Sequence, residues 1–219
     1  MQSKKVKQPW PTKAVMEQIY ELNLWGGDRG EFYSGAGSHQ NNYVEPYVEL
    51  VVEFLNSFEQ KPSICDLGCG DFNIGKHLLN HCSTYIGVDI VPDLITRNRN
   101  TFAADHLEFR CSDIARDDLP KADVALLRNV LQHLSNAEIK SVTEKLNQYE
   151  YLILTEHIPE GDFEPNLDII SGQGIRLKKN SGVDITEEPF KLKSKPQKIL
   201  LCIPYTNGKG VLLTTLFKF

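Results

Sequence analysis

The densest chemistry in this sequence lies at Asp66-Leu67-Gly68-Cys69-Gly70-Asp71, where the apolar run SICDLG (63–68) gives way to a turn. Two glycines one residue apart let a chain leave a strand, turn sharply and bring its backbone close to a ligand. A helix following such a turn aims its first N–H groups at that ligand and favours a carboxylate or phosphate there. A dinucleotide site calls for G-x-G-x-x-G, and the third position here is Asn73. Asp66, just ahead of the first glycine, repels a pyrophosphate but can hold an ammonium group. Asp89 ends the next apolar run, 19 residues beyond Gly70, and is placed to accept hydrogen bonds from both hydroxyls of a ribose. Asp113 closes a third run, where it can meet an adenine edge. Singly, each aspartate is as readily a helix cap. As a set at successive strand ends they converge on one crevice. The ligand they describe has an amino-acid end and a nucleoside end.

The elements that must position these groups follow from hydropathy patterning. Tyr43, Tyr47, Leu50, Val51, Phe54, Leu55 and Phe58 recur at helical spacing; Asn42 is a candidate cap and Pro46 is expected in the first turn, where it is tolerated. Strands are expected at 63–68, 85–90, 107–113, 122–130 and 151–157, apolar throughout, as parallel strands covered on both faces must be. Helices are expected at FNIGKHLLNH (72–81), from Pro92, and after the capping box Ser135-x-x-Glu138. This alternation predicts an α/β fold: a doubly wound, mostly parallel seven-stranded sheet with helices on both faces. Asn207-Gly208 between 198–205 and 210–219 predicts that the sheet ends in an antiparallel hairpin. The chain divides into an N-terminal arm with a glycine-rich lid (1–42) and a binding domain (43–219). Within the latter, the proline- and glycine-rich residues 158–197 read as an irregular insertion on the substrate side with at most one short helix.

DLGCGD, YIGVDI, CSDI and LLRNVLQHL, in this order and spacing, resemble the motifs of class I S-adenosylmethionine-dependent methyltransferases over roughly 43–157. The resemblance implies that the cofactor is S-adenosylmethionine and its product S-adenosylhomocysteine. It implies that Asp66, Gly68 and Gly70 hold the methionine part, Asp89 with Ile90 the ribose, and Asp113 with Ile114 the adenine. Arg128 and Asn129 end the fourth strand, where the family contacts the methionine part. Phe72 stands where the family often has a third glycine.

Methyl transfer needs a nucleophile held in line with the S–CH₃ bond, about 3 Å away. For a hydroxyl or protonated amine a general base helps, and His133, Glu156 and His157 are candidates. One of Glu156 and His157 faces away, because side chains alternate along a strand. Tyr33, Ser34, Gly37 and Ser38 are expected in a lid over the cofactor, with Trp25 and Phe32 anchoring the arm. The cluster Arg176, Lys178 and Lys179 reads more readily as a solvated loop than as a site for an anionic acceptor, though it could recognise one.

A net charge of −5 argues against a broad nucleic-acid face and leaves a small-molecule acceptor as the default. The short basic start (Lys4, Lys5, Lys7) reads as a solvated tail. The five cysteines contain no CxxC, so free buried thiols are expected and no metal site, and with no signal peptide or spanning segment a cytoplasmic location. Two other readings stay open: a non-catalytic S-adenosylmethionine-binding module, and a nicotinamide-dependent oxidoreductase on a related fold.

Overall fold

The computed structural model describes residues 9–28, 30–194, 196–206 and 208–219. Lys4, Lys5, Lys7 and the Asn207 half of the expected turn lie outside the described residues. The arm folds into α1 (Thr12–Glu21), and a one-turn α2 (Ala36–His39) interrupts the expected lid loop. Then come α3 (Asn41–Asn56), β1 (Ser63–Leu67), β2 (Thr84–Asp89), α4 (Pro92–Thr101), β3 (Leu107–Cys111), β4 (Val124–Arg128), α5 (Asn136–Thr143), β5 (Tyr151–Ile158), β6 (Pro196–Pro204) and β7 (Val211–Lys218). The seven strands lie in the order β3-β2-β1-β4-β5-β7-β6. All pairs through β4–β5 are parallel; β7 pairs antiparallel with both β5 and β6, as the hairpin signal predicted. Among the described residues between β5 and β6, the only regular element is a 3₁₀ turn, Arg176–Lys179.

Alternation along the strands builds a core on each face of the sheet. In β4, Ala125 and Leu127 join the layer of α1 and α5, while Val124 and Leu126 join the layer of α3. Both faces of the sheet are thus covered by apolar side chains, which explains why these strands read as continuous apolar runs.

Three local expectations are corrected. The helix expected over 72–81 is two 3₁₀ turns, Gly75–His77 and Leu79–His81. Phe72 takes φ +64°, outside the helical region, because its fully buried ring packs against Tyr85, Phe102 and Phe109. The N-terminal helix dipole expected behind the glycine turn is therefore absent. Second, α3 starts earlier than its apolar stripe: Gln40 is its N-cap, Asn42 lies inside, and Pro46 falls in the helix interior. Third, only Cys65 and Cys82 are buried; Cys111 and Cys202 are exposed.

Ser135 and Glu138 form the expected capping box. Glu138 also accepts from the hydroxyls of Thr12 and Ser171, joining the arm, the insertion and α5 at one carboxylate. Burial pulls its carboxyl upward, but the hydroxyls of Ser135, Ser171 and Thr12 outweigh this and hold it below the ordinary glutamate value. Glu138→Ala is expected to lower the unfolding free energy by about 2–3 kcal/mol, against roughly 1 kcal/mol for Ser135→Ala. Urea titration checks this; equal losses would mean that Thr12 and Ser171 add nothing.

Candidate functional site

The glycine turn is fixed by the strand beside it. The N–H groups of Gly68 and Cys69 both donate to the Val88 carbonyl, at 2.8 and 2.9 Å. Gly68 has φ +89°, and a Cβ there would lie 2.4 Å from Val130 Cγ2. Gly70 has φ +55°, and a Cβ would lie 2.4 Å from Ser34 Oγ. Only glycine suits either place, so the turn slots between Val130, after β4, and Ser34. Asp89 accepts from the Gly70 N–H and the Val91 N–H, both at 3.1 Å. Asp66 accepts from the Tyr85 hydroxyl at 2.7 Å. Burial pushes both carboxyls up to about 6, against the hydrogen bonds that favour their charged forms.

The segment expected as a lid is held against the glycine turn by polar contacts. Ser34 N–H donates to Asp71 Oδ2 at 2.8 Å, and the Asp71 N–H donates back to Ser34 Oγ at 2.8 Å. His39 Nε2 donates to the same carboxylate oxygen at 2.5 Å. The Asn73 amide donates to the Ser38 carbonyl at 2.7 Å, and Arg128 Nη2 to the Gly37 carbonyl at 2.7 Å. Tyr20 of α1 reaches Ser34 Oγ at 2.9 Å. The Arg128 guanidinium lies 4.7 Å above the Tyr47 ring. Sequence reasoning missed Asp71, His39 and Tyr20. Asp71 had a signal, as the carboxylate closing DLGCGD. His39 and Tyr20 had none, because their partners lie far along the chain.

These elements enclose a cavity of about 580 Å³ at the carboxyl ends of the parallel strands, within the size range of ligand pockets. One half is lined by Asp66, Gly68, Gly70, Asp89, Ile90, Asp113, Ile114, Arg128 and Asn129, with Ser34, Gly37 and Ser38 above them. Asp113 also caps its own turn, its Oδ1 accepting from the Ala115 N–H at 3.0 Å. Asn129 takes φ +57°. Its Oδ1, like Arg128 Nε, is buried without a hydrogen-bond partner among the described residues.

The other half is lined by Trp25, Gln132, His133, His157, Ile175, Lys178, Tyr205 and Leu212. Trp25 and Phe32 pack against the core as anchors, and Trp25 also faces the cavity. His133 Nδ1 donates to the Gly172 carbonyl at 3.1 Å, leaving Nε2 as an acceptor 3.2 Å from the Gln132 amide. Burial drives this imidazole down to about 4, so it is neutral at physiological pH. His157 Nε2 donates to the Lys209 carbonyl at 2.9 Å, and burial lowers this imidazole too.

Three expected site residues lie outside the cavity wall. Glu156 is buried and accepts from the N–H groups of Leu131 and Gln132 at 3.1 and 2.8 Å. The alternation that turns His157 to the cavity turns Glu156 away, and burial pushes its carboxyl up to about 8. Arg176, expected to meet an acceptor, is 1% exposed. It donates instead to the carbonyls of Leu167, Gln132 and Leu134 and to Asn136 Oδ1, tying the insertion to the segment between β4 and α5. Tyr33 stacks on His39, 4.2 Å between ring centroids, on the outer side of the lid. Among the described residues, no cluster of side chains could hold a metal ion and no helix is long and apolar enough to cross a membrane.

Residues 65–149 match a family described as a methyltransferase domain. A comparison with curated proteins found no match. Among solved structures, the chain is similar to the N-methyltransferase NodS from Bradyrhizobium japonicum WM9 in complex with S-adenosyl-L-homocysteine. The TM-score is 0.68 at 14% identity, over 93% of this chain and 98% of that one. It is similar to the 1,6-didemethyltoxoflavin-N1-methyltransferase from Burkholderia thailandensis, with a TM-score of 0.63 at 12% identity over 97% and 92% of the two chains. It is also similar to the magnesium protoporphyrin IX methyltransferase from Synechocystis PCC 6803 with bound SAM, with a TM-score of 0.59 at 16% identity over 96% and 99%. The strand order and these similarities show that the chain shares the fold of these methyltransferases, with residues 65–149 matching a methyltransferase domain.

Proposed function

We propose that this chain is a methyltransferase that passes the methyl group of S-adenosylmethionine directly to a small-molecule acceptor. The observation that carries this reading is the pairing of opposite chemistries in one half of the cavity. Two buried carboxylates, Asp66 and Asp89, stand near a half-buried guanidinium, Arg128, whose Nε is buried, and an amide oxygen, Asn129 Oδ1; neither Arg128 Nε nor Asn129 Oδ1 has a partner among the described residues. A ligand with an ammonium, a carboxylate and a ribose satisfies all of them, and the two glycines let it lie against the backbone. Asp66 and Asn129 suit the ammonium, Arg128 the carboxylate, Asp89 the ribose hydroxyls, and Asp113 with Ile114 the adenine.

When bound, S-adenosylmethionine supplies a methyl carbon to which an acceptor lone pair bonds as the carbon–sulfur bond breaks and its electrons return to sulfur. The chain's own work is orientation and the exclusion of water. The lid from Ser34 to Ser38, latched by Asp71 and Arg128, covers the cofactor half. A small acceptor is in keeping with neighbours named for toxoflavin and protoporphyrin substrates. His133 and His157 face the acceptor half and are the groups there that could take a proton.

Calorimetric titration of the purified chain with S-adenosylhomocysteine and, separately, NADH tests this reading. Binding of the first alone is the expected result; binding of NADH alone would replace the reading by an oxidoreductase. Its pH dependence is a further check. An ammonium at Asp66 and hydroxyl donors at Asp89 favour the charged carboxyls, which are pushed up to about 6 in the free protein. The complex therefore releases protons near pH 6. Affinity is full above that pH and falls as pH drops through it, by about tenfold for each carboxyl and so about 100-fold for the two between roughly pH 7.5 and pH 5. A flat profile would mean that neither carboxyl meets the ligand.

A further inference from the structure

The acceptor half, so named on the methyltransferase reading on which this inference rests, has a charge pattern of its own. All four carboxylates that line the cavity, Asp66, Asp71, Asp89 and Asp113, stand at or just after β1, β2 and β3. The half at the ends of β4, β5 and the β6–β7 hairpin has none among the described residues. Two aromatic pairs line it instead. Trp25 and His133 are 5.0 Å apart by ring centroids, and His157 and Tyr205 are 4.4 Å apart. Lys178 also lines this half; it is exposed, and its ammonium has no ion pair or hydrogen bond among the described residues.

We propose that this half binds a planar aromatic anion, its ring lying against the Trp25–His133 and His157–Tyr205 pairs and its carboxylate or equivalent anionic group paired with Lys178. A cationic amine has no carboxylate to meet there, whereas flat rings suit aromatic walls. Neither histidine is a strong base, since burial holds both imidazoles below their ordinary value. A nucleophile that arrives as an anion, or as a ring-nitrogen lone pair, gives up no proton on methylation. It therefore asks for none of the basicity that this half lacks.

The test uses the full chain saturated with S-adenosylhomocysteine. Benzoate, indole-3-carboxylate and quinoline-2-carboxylate are titrated in turn, each beside its uncharged carboxamide, on the parent and on Lys178→Gln. At least one acid is expected to bind about fivefold tighter than its amide, as a partly exposed ion pair allows. In Lys178→Gln that preference disappears while S-adenosylhomocysteine binds as before. No binding by any acid, amides as tight as acids, or a preference surviving in Lys178→Gln would each overturn the proposal. Failure of S-adenosylhomocysteine itself to bind the parent would overturn the cofactor reading instead, so the two failures are distinguishable.

Discussion

Asp89→Asn is expected to weaken S-adenosylhomocysteine binding by about 100-fold while leaving the fold intact. Two ribose hydroxyls hydrogen-bonded to a buried charge contribute roughly 1.5–3 kcal/mol each, so losing the charge removes about two decades of affinity. The free protein loses little, and the reason lies in the sign of the shift. The Asp89 carboxyl titrates near 6 in the fold, above its ordinary value, because burial disfavours its charge. Its contribution to stability is full below the unfolded pKa and is lost as pH rises through 6. At neutral pH the charged form is therefore a cost that asparagine does not carry. The amide oxygen still accepts one of the N–H groups of Gly70 and Val91 that the carboxylate holds. Calorimetry and thermal unfolding on the same sample check both halves. Unchanged affinity would remove Asp89 from the site, and a collapsed melting temperature would make it a structural residue first.

Gly68→Ala is expected to destabilise the chain by about 2–4 kcal/mol and to abolish binding. Two separable costs act here. One is the backbone, since φ of +89° is unfavourable for any side chain. The other is the new methyl, 2.4 Å from Val130 Cγ2. Val130 cannot retreat freely, because the segment behind it holds Glu156, which accepts from the N–H groups of Leu131 and Gln132. Adding Val130→Ala should return part of the stability, the steric part, and none of the backbone part. Equal stability of the single and double variants in urea would mean that backbone strain alone operates.

How much of this was legible in the sequence depended on how local each feature was. The parallel strands, the capping box at Ser135 and the hairpin rest on periodicity or spacing within one segment, and these the sequence signalled correctly. The stretch 72–81 misled because its apolar spacing is helical, while a tertiary demand, burial of the Phe72 ring among Tyr85, Phe102 and Phe109, sets its backbone. Arg176 misled for a related reason. A basic run in an irregular segment reads as solvated or ligand-facing, and nothing in its neighbours shows the distant carbonyls of Gln132 and Leu134. The lid latch depends on Asp71 meeting Ser34 and His39 across more than thirty residues, and so was hidden. The aspartates at strand ends were visible because the fold itself brings strand ends together.

The position of β7 carries a consequence for how the chain assembles during synthesis. β5 ends at Ile158, yet the strand that covers its outer edge begins at Val211. Until that strand has left the ribosome, the nascent sheet carries an open edge of apolar residues, a template for pairing with other chains. Everything that contacts the methyl donor in the proposed site lies ahead of that point, between Ser34 and Asn129. His157, Tyr205 and Leu212 gain their final neighbours only when β7 slides between β5 and β6. A growing chain would thus form its nucleoside pocket early and the opposite wall last. S-adenosylmethionine in the cell could then act as a folding aid, engaging a half-made domain while its exposed edge awaits a partner strand.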